Sequence, residues 1–191
     1  MNGNIIGTNS LAEDCQINRW AISFLENLLN NIPENLLYYQ TPVSHSPGML
    51  LQHLILINDE ALVALGQKKE LSDQWHNTRI FGIKAIVPPP TLNELLNMSN
   101  VSFARLRQFS LDLPPADLEK PLLEPFIHKH IQTHQELLSF ILTINLLIHI
   151  VCLQSWKEEL AIEQPSKYER STFSLRKRNW SGHQKNGMKI S

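Results

Sequence analysis

The sequence has few of the features that mark secreted, membrane or nucleic-acid-binding proteins. Its 191 residues include only two cysteines, Cys15 and Cys152, too few for a disulfide-stapled secreted scaffold, which indicates a reducing, cytoplasmic setting. The N-terminus has neither the basic nor the apolar segment of a signal peptide. Lys and Arg number 17 against 18 Asp and Glu, and this balance gives no electrostatic case for nucleic acid as a partner.

Long uninterrupted apolar runs are also missing. The most apolar segment, residues 137–153, is shorter than the roughly 20 apolar residues of a membrane span and is broken by Ser139, Thr143, Asn145 and His149. We therefore predict a buried bundle helix and no membrane as a partner. Alternating β-branched runs with hairpin turns do not occur, so strands are not required. The P-loop, dinucleotide-binding, serine-hydrolase and HExxH signatures are absent as well.

What the sequence does contain is four clear helix-start signals. Ser10, Thr91 and Thr133 each open an S/T-x-x-E capping box. Ser46 is a good N-cap followed by Pro47, a residue favoured at the first helical position. The predicted helices run from Ser10 to about Asn31, from Pro47 to Leu65 with Gly66 as the cap, from Thr91 to the residue before Pro114, and from Thr133 to about Leu160.

Four amphipathic helices joined by two long connections predict an all-α four-helix bundle with long crossover connections. The connections cover residues 67–90 and 113–132. We assign residues 1–165 to the bundle and residues 166–191 to a polar, basic, flexible tail, because the apolar period ends there. The predicted apolar stripe of the first helix consists of Trp20, Phe24, Leu25, Leu28 and Leu29.

Two histidines lie in the middle of predicted helices, His53 in the second and His149 in the fourth. Each has apolar neighbours, where an imidazole must be hydrogen-bonded or ligated. Either histidine alone is interpreted as a hydrogen-bonded residue at the edge of the core. Together, the two histidines can converge on a metal ion. Asn145 and Cys152 share the helical face of His149. The Cys152 thiolate suits zinc but is more often a small buried hydrophobe, and the Asn145 amide is a poor ligand.

The other six histidines lie outside the centres of the predicted helices. We predict exposed loop histidines for the cluster that precedes or straddles the fourth capping box, because nothing in the sequence fixes their geometry. The remainder lie in loops or in the tail, and the sequence shows no partner for them. The cluster consists of His128, His130 and His134, and the remainder are His45, His76 and His183.

Four segments together resemble the DinB-like (DinB/YfiT) superfamily over roughly residues 10–165: TPVSHSPGMLLQHL, VPPPTLNELL, LDLPPADLEKPL and THQELLSFILTINLLIHIVCLQSWKEEL. The resemblance implies a four-helix bundle with a long crossover. It also implies a divalent metal, such as zinc or nickel, held by a histidine of the second helix and an H-x-x-x-H-x-G-Q motif of the fourth. His53 and His149 match two of these ligands.

The rest of that motif is altered in this chain. Asn145 replaces the first histidine, Val151 the glycine and Cys152 the glutamine. Val151 is expected to thicken the helix and narrow the pocket. The resemblance therefore implies either a site rebuilt with Cys152 or Asn145 as a further ligand of the metal, or a decayed site.

These two outcomes imply different functions. With a metal, the protein resembles metal-dependent thiol S-transferases, which present a small-molecule thiol to an electrophile. Without one, it resembles a catalytically inactive bundle that acts as a stress-associated binding or interaction protein. The sequence leaves open whether the protein is an enzyme, and the resemblance implies a homodimer in both cases.

Overall fold

A computed structural model describes the chain over residues 11–30, 32–42, 44–73, 75, 88–126 and 129–163. Within these residues the protein is all-α, and the one pairing of strand type is an isolated bridge between Pro121 and Thr133. The helices are α1 (Leu11–Leu29), α2 (Pro47–Ala64), α3 (Leu92–Asp112), α4 (His134–Ser139) and α5 (Leu146–Glu163), with a π-helical turn, Phe140–Asn145, between the last two. We call α4, the π turn and α5 together the fourth bundle helix.

The predicted helix starts are confirmed wherever the structure describes them. At Thr91 and at Thr133 the hydroxyl accepts the N–H of the third helical residue, whose glutamate accepts the threonine N–H in return. Ser46 caps α2 and Pro47 is its first residue. Ser10 lies outside the described residues. Three of the four starts are thus made by contacts within a single helical turn.

The end of α2 is also the predicted one. Gly66 has a φ of 84° and donates its N–H to Val63 O at 2.8 Å, while Gln67 donates to Leu62 O at 2.8 Å. These two bonds form a Schellman motif, which requires a left-handed residue. A Cβ at Gly66 would lie 2.7 Å from Leu123 Cδ1. Glycine is therefore favoured here by its left-handed conformation, whereas the close Leu123 atom is the end of an exposed side chain that can move aside.

The helices pack as a ring in which α1 contacts α3, α3 contacts α2, α2 contacts the fourth bundle helix, and the latter contacts α1. The fourth bundle helix runs parallel to α1, because Ser139 Oγ donates to Asp14 at 2.6 Å and Asn18 donates to Leu142 O at 2.8 Å. Along this interface the residue numbers of α1 and of the fourth bundle helix increase in the same direction.

The neighbours α2 and α3 are parallel as well. Tyr38, before α2, donates its hydroxyl proton to Pro90 O, before α3, at 2.6 Å. Further along, Arg105 lies 3.7 Å from Asp59. The chain must therefore return the full length of the bundle between α2 and α3, which is why the predicted connection over residues 67–90 is long.

The predicted apolar stripe of α1 is wrong in part. Leu25 and Leu29 are buried, but Trp20 is 72% exposed and Phe24 45%, and their rings stack on the surface at 6.3 Å between centroids. The buried face includes polar Asn18 instead. Asn18 is tolerated inside because its amide bonds Leu142 O and Arg107, a pairing that periodicity cannot anticipate.

The fourth bundle helix is long and apolar enough to cross a membrane, judged by length and composition alone. Half of its most apolar window is buried against the other helices. The segment is thus longer and more apolar than the sequence analysis judged; its half-burial supports the predicted bundle helix, and the absence of a membrane partner stays a prediction.

Candidate metal centre

His53 of α2 and His149 of α5 meet across the interface between the two helices. His53 Nδ1 lies 3.1 Å from His149 Nε2, and the ring centroids are 4.9 Å apart with the planes at 65°. The structure therefore confirms that the two histidines converge, although they lie 96 residues apart in the sequence.

The hydrogen bonds define which nitrogen carries each proton. His149 Nδ1 lies 2.7 Å from the backbone oxygen of Asn145. A carbonyl only accepts, so His149 Nδ1 donates, and the lone pair of a neutral His149 is on Nε2. His53 Nδ1 must then donate to His149 Nε2. Anchoring of the outer imidazole N–H by a backbone carbonyl is also how proteins orient a metal-binding histidine.

Burial keeps both rings neutral. Desolvation, with smaller contributions from the neighbouring His149 and His45, lowers the pKa of His53 to about 4. Desolvation also lowers the pKa of His149, against the opposing effect of its bond to the Asn145 backbone. A neutral imidazole is the form that binds metal, because the proton and the metal compete for the same lone pair.

The spacing of the two nitrogens fits a shared metal ion. Zinc binds histidine nitrogen at about 2.0–2.1 Å, so two nitrogens on one tetrahedral ion are about 3.3–3.4 Å apart. The observed 3.1 Å between His53 Nδ1 and His149 Nε2 is close to this value. To bind, His53 would need to carry its proton on Nε2, which frees Nδ1.

Asn145 and Cys152 are the two remaining candidates for a third metal ligand. Asn145 is 6% exposed, and its Nδ2 has no hydrogen-bond partner in the described part of the chain. Cys152 is half-buried, and its backbone oxygen accepts from Ser44 Oγ at 3.2 Å. Over the described ranges, no three side chains of His, Cys, Asp or Glu gather at one point. Cys152 and Asn145 as metal ligands therefore stay predictions.

Comparison of the sequence with models of protein families identifies a match for this bundle. The sequence model of the DinB superfamily matches residues 19–143. The chain belongs to the DinB superfamily. The resemblance drawn from the sequence is thereby confirmed, together with the all-α fold. No curated protein matches the chain. The matched segment includes His53 but ends before Asn145 and His149, so membership in the family does not test the metal motif.

The structure shows that two expectations drawn from the sequence are wrong. Val151 is 64% exposed, so the expectation that it narrows the interior pocket is wrong, because this position faces outward. The prediction that His134 is an exposed loop residue is also wrong. His134 is the first residue of α4 and is 8% exposed. His130 is exposed as predicted, and His128 lies outside the described residues.

The π turn just before the site is a feature that the sequence analysis missed. A π turn leaves backbone oxygens without their usual helical donors, and here Asn18 donates to Leu142 O at 2.8 Å. Arg107 in turn donates to Asn18 Oδ1 at 2.7 Å. Arg107 of α3 and Asn18 of α1 are thus hydrogen-bonded in series to the π turn, which ends at Asn145. The sequence shows only an asparagine in the first helix, and neither its burial nor its contact with the turn could be predicted from that.

A separate cavity of about 260 Å³ lies between α2 and α3, away from the histidine pair. At its wall Asp59, 3% exposed, accepts the backbone N–H groups of Glu70 and Leu71 at 3.2 Å each. Arg105 pairs with Glu70 at 2.7 Å. These contacts anchor the start of the long connection to the bundle, so we assign this cluster a structural role.

Proposed function

We propose that this DinB-superfamily protein binds a divalent transition metal through His53 Nδ1 and His149 Nε2. The observation that carries the proposal is the 3.1 Å spacing of these two nitrogens on different helices. The low pKa of His53, about 4, supports it, since both rings are available as neutral ligands at neutral pH.

The chain's own residues would act as follows. The Asn145 backbone oxygen holds His149 with Nε2 directed at His53. The buried Asn145 amide, whose Nδ2 has no hydrogen-bond partner in the described structure, would supply a hydrogen-bond donor one helical turn before His149. Two protein ligands leave positions open for a small-molecule thiol, whose pKa a bound metal lowers. A thiol S-transferase reaction with an electrophile is the activity class that we propose.

A second candidate is a metal-free binding protein with no catalytic activity. The bond between His53 and His149 favours it, because each imidazole satisfies the other without a metal. Replacement of a ligating histidine by Asn145 removes the third strong ligand, and a neutral amide binds transition metals poorly.

Metal content separates the two candidates. Untagged full-length protein, purified without chelator, is loaded with zinc or nickel, desalted and measured by mass spectrometry. We expect about one equivalent in the parent and in His130→Ala, whose histidine is exposed. His53→Ala and His149→Ala are expected to lose the metal, because one imidazole alone holds an ion weakly. Equal metal in all four proteins would overturn the proposal.

Asn145→His tests the altered position directly. The backbone oxygen that orients His149 belongs to residue 145 whatever its side chain, so the substitution adds an imidazole and leaves this contact intact. We expect metal binding that is about 10–100-fold tighter in calorimetry, an effect of the size that metal-site substitutions produce. Ile144→His, on the exposed neighbour, is the matched control. A parent without metal beside an Asn145→His variant with one equivalent would instead support the metal-free candidate.

A further inference from the structure

Most of the surface that lines the cavity between α2 and α3 is apolar. Ile55 of α2 is buried, with 2% of its surface exposed, whereas Val101 of α3 is 52% exposed, so the cavity extends from the core to the surface. Leu71 and Met98 are partly buried and pack against the core. The apolar lining consists of Ile55, Leu71, Met98 and Val101. A ligand in this cavity would therefore remove apolar surface from water, which favours binding.

The cavity lies across α2 from the histidine pair. Ile55 and Asp59, which line it, follow His53 by two and six residues. With 3.6 residues per turn, these positions lie about 160° and about 120° around the helix axis from His53. The cavity is therefore separate from the candidate metal centre.

The charged groups at the wall of the cavity satisfy one another. Arg105 lies 2.7 Å from Glu70 and 3.7 Å from Asp59. Asp59 also accepts the backbone N–H groups of Glu70 and Leu71. A charged ligand would have to break one of these contacts or bring an unpaired charge to a partly buried wall, and both cost free energy. An uncharged ligand avoids this cost and leaves the anchoring contacts intact.

One polar group at the cavity has no partner of its own. Ser102 of α3 is among the lining residues, and its hydroxyl oxygen is shielded from solvent without a hydrogen-bond partner in the described part of the chain. A buried hydroxyl that makes no hydrogen bond destabilises the fold, and rotation about its Cα–Cβ bond gives it access to other neighbours. Ser102 can therefore offer one hydrogen bond to a ligand, as donor or as acceptor.

The volume of the cavity selects a ligand with a single ring. Pockets for drug-sized molecules have about 300–1,000 Å³, more than the volume of about 260 Å³ found here. An apolar cavity of about 150 Å³ already binds benzene, so a ring with a small substituent fits. The Met98 thioether favours an aromatic ring over an aliphatic chain, because contacts between sulfur and aromatic rings are favourable.

We propose that this cavity binds an uncharged molecule that consists of one aromatic ring and a hydroxyl group, that is, a simple phenol. The ring packs against the apolar lining, and the hydroxyl group exchanges a hydrogen bond with Ser102. The ion pairs of Arg105 form one wall and stay in place when the ligand binds. Binding does not require a metal ion, since the histidine pair lies across the helix.

Fluorine NMR on the full-length protein with para-fluorophenol as the probe tests the proposal, and amide chemical shifts locate the site. We expect saturable binding, with the largest amide shifts around Ile55 and Ser102. Ser102→Ala is expected to raise the dissociation constant by about 5-fold, the effect of one lost hydrogen bond. Val101→Trp places a second ring at the cavity and is expected to raise it by about 30-fold or more. Leu111→Trp is the matched control, because Leu111 is exposed on the same helix but does not line the cavity.

Three results would overturn the proposal. In the first, the parent shows no saturable binding up to the solubility limit of the probe. In the second, Val101→Trp binds the probe as tightly as the parent and Leu111→Trp do, although circular dichroism shows that it is folded. In the third, para-fluorobenzoate or para-fluorobenzylamine, which are charged at neutral pH, binds as tightly as para-fluorophenol. If Val101→Trp does not fold, Ser102→Ala decides the test, and an unchanged dissociation constant in that variant contradicts the proposal.

Discussion

Asn145 shows how one residue can contribute to a site in two separate ways. Its backbone oxygen orients His149, and this contribution does not depend on the side chain. Its amide Nδ2 is buried without a partner in the described structure, which costs on the order of 1–3 kcal/mol of stability. Such a cost is expected where a side chain serves a ligand better than it serves the fold.

The histidine pair makes stability depend on pH in metal-free protein. The pKa of His53 falls from 6.5 to about 4 on folding, so between these values the unfolded chain binds a proton that the folded chain does not. Stability is therefore full above pH 6.5 and is lost as the pH falls towards 4. We expect a loss on the order of 1–2 kcal/mol between pH 7 and pH 5, measured by urea unfolding after chelator treatment.

His53→Gln is the control for this prediction, because it removes the titrating ring. Burial raises the pKa of Asp14, an effect of opposite sign, and Asp14 is present in both proteins, so the comparison cancels it. The cap residues Glu94 and Glu136 have lowered pKa values, and their contribution is lost only below about pH 4.5. Equal pH dependence in parent and variant would contradict the assignment to His53.

At the scale of the element, the π turn is the main irregularity of the fourth bundle helix. The turn, Phe140–Asn145, ends one helical turn before His149, and it shifts the face on which the following residues lie. Thr143 Oγ1 donates to Ser139 O at 2.6 Å, and Asn18 donates to Leu142 O. Side chains thus satisfy two backbone oxygens in and beside the turn.

Replacing Asn18 tests whether this turn depends on tertiary contacts. Asn18→Ala leaves Leu142 O and the Arg107 guanidinium without their partner, so we expect a loss of about 1–3 kcal/mol in urea unfolding. Asn100→Ala is the matched control, since Asn100 also donates across a helix interface, to Glu26 at 2.7 Å, but at the exposed surface. We expect the control to cost under about 0.5 kcal/mol. Equal losses in both variants would show that Asn18 has no special role.

At the scale of the whole molecule, the ring of four helices encloses one core. Phe103 of α3 and Trp156 of α5 are among its largest fully buried side chains. Trp156 also donates its indole N–H to Tyr39 O at 2.8 Å, so the core and the connection between α1 and α2 are linked. A single core of this kind is expected to unfold cooperatively.

Phe103→Ala removes a ring from the centre of this core. We expect a loss of about 3–5 kcal/mol, because the cavity adds to the lost transfer free energy. Phe109→Ala on the same helix, where the ring is partly exposed, is expected to cost less than half as much. Circular dichroism and tryptophan fluorescence should report the same midpoint for each protein, and separate midpoints would contradict a single cooperative core.

The sequence by itself determined the features that depend on contacts within one helical turn. The caps at Ser46, Thr91 and Thr133 and the glycine end of α2 all form as predicted, since each is satisfied by neighbours in the chain. The fold class followed from these elements, and the family was indicated by the resemblance of four sequence segments to the DinB-like superfamily.

Only the tertiary structure decided the geometry of the site. His53 and His149 meet because α2 and α5 pack against each other in one particular register, and no local pattern gives the register of residues 96 apart. The burial of His134 and the exposure of Trp20 depend in the same way on which face of a helix its neighbours cover. Hydrophobic packing is non-directional, so the sequence shows that a helix has an apolar face but not which helix will cover it.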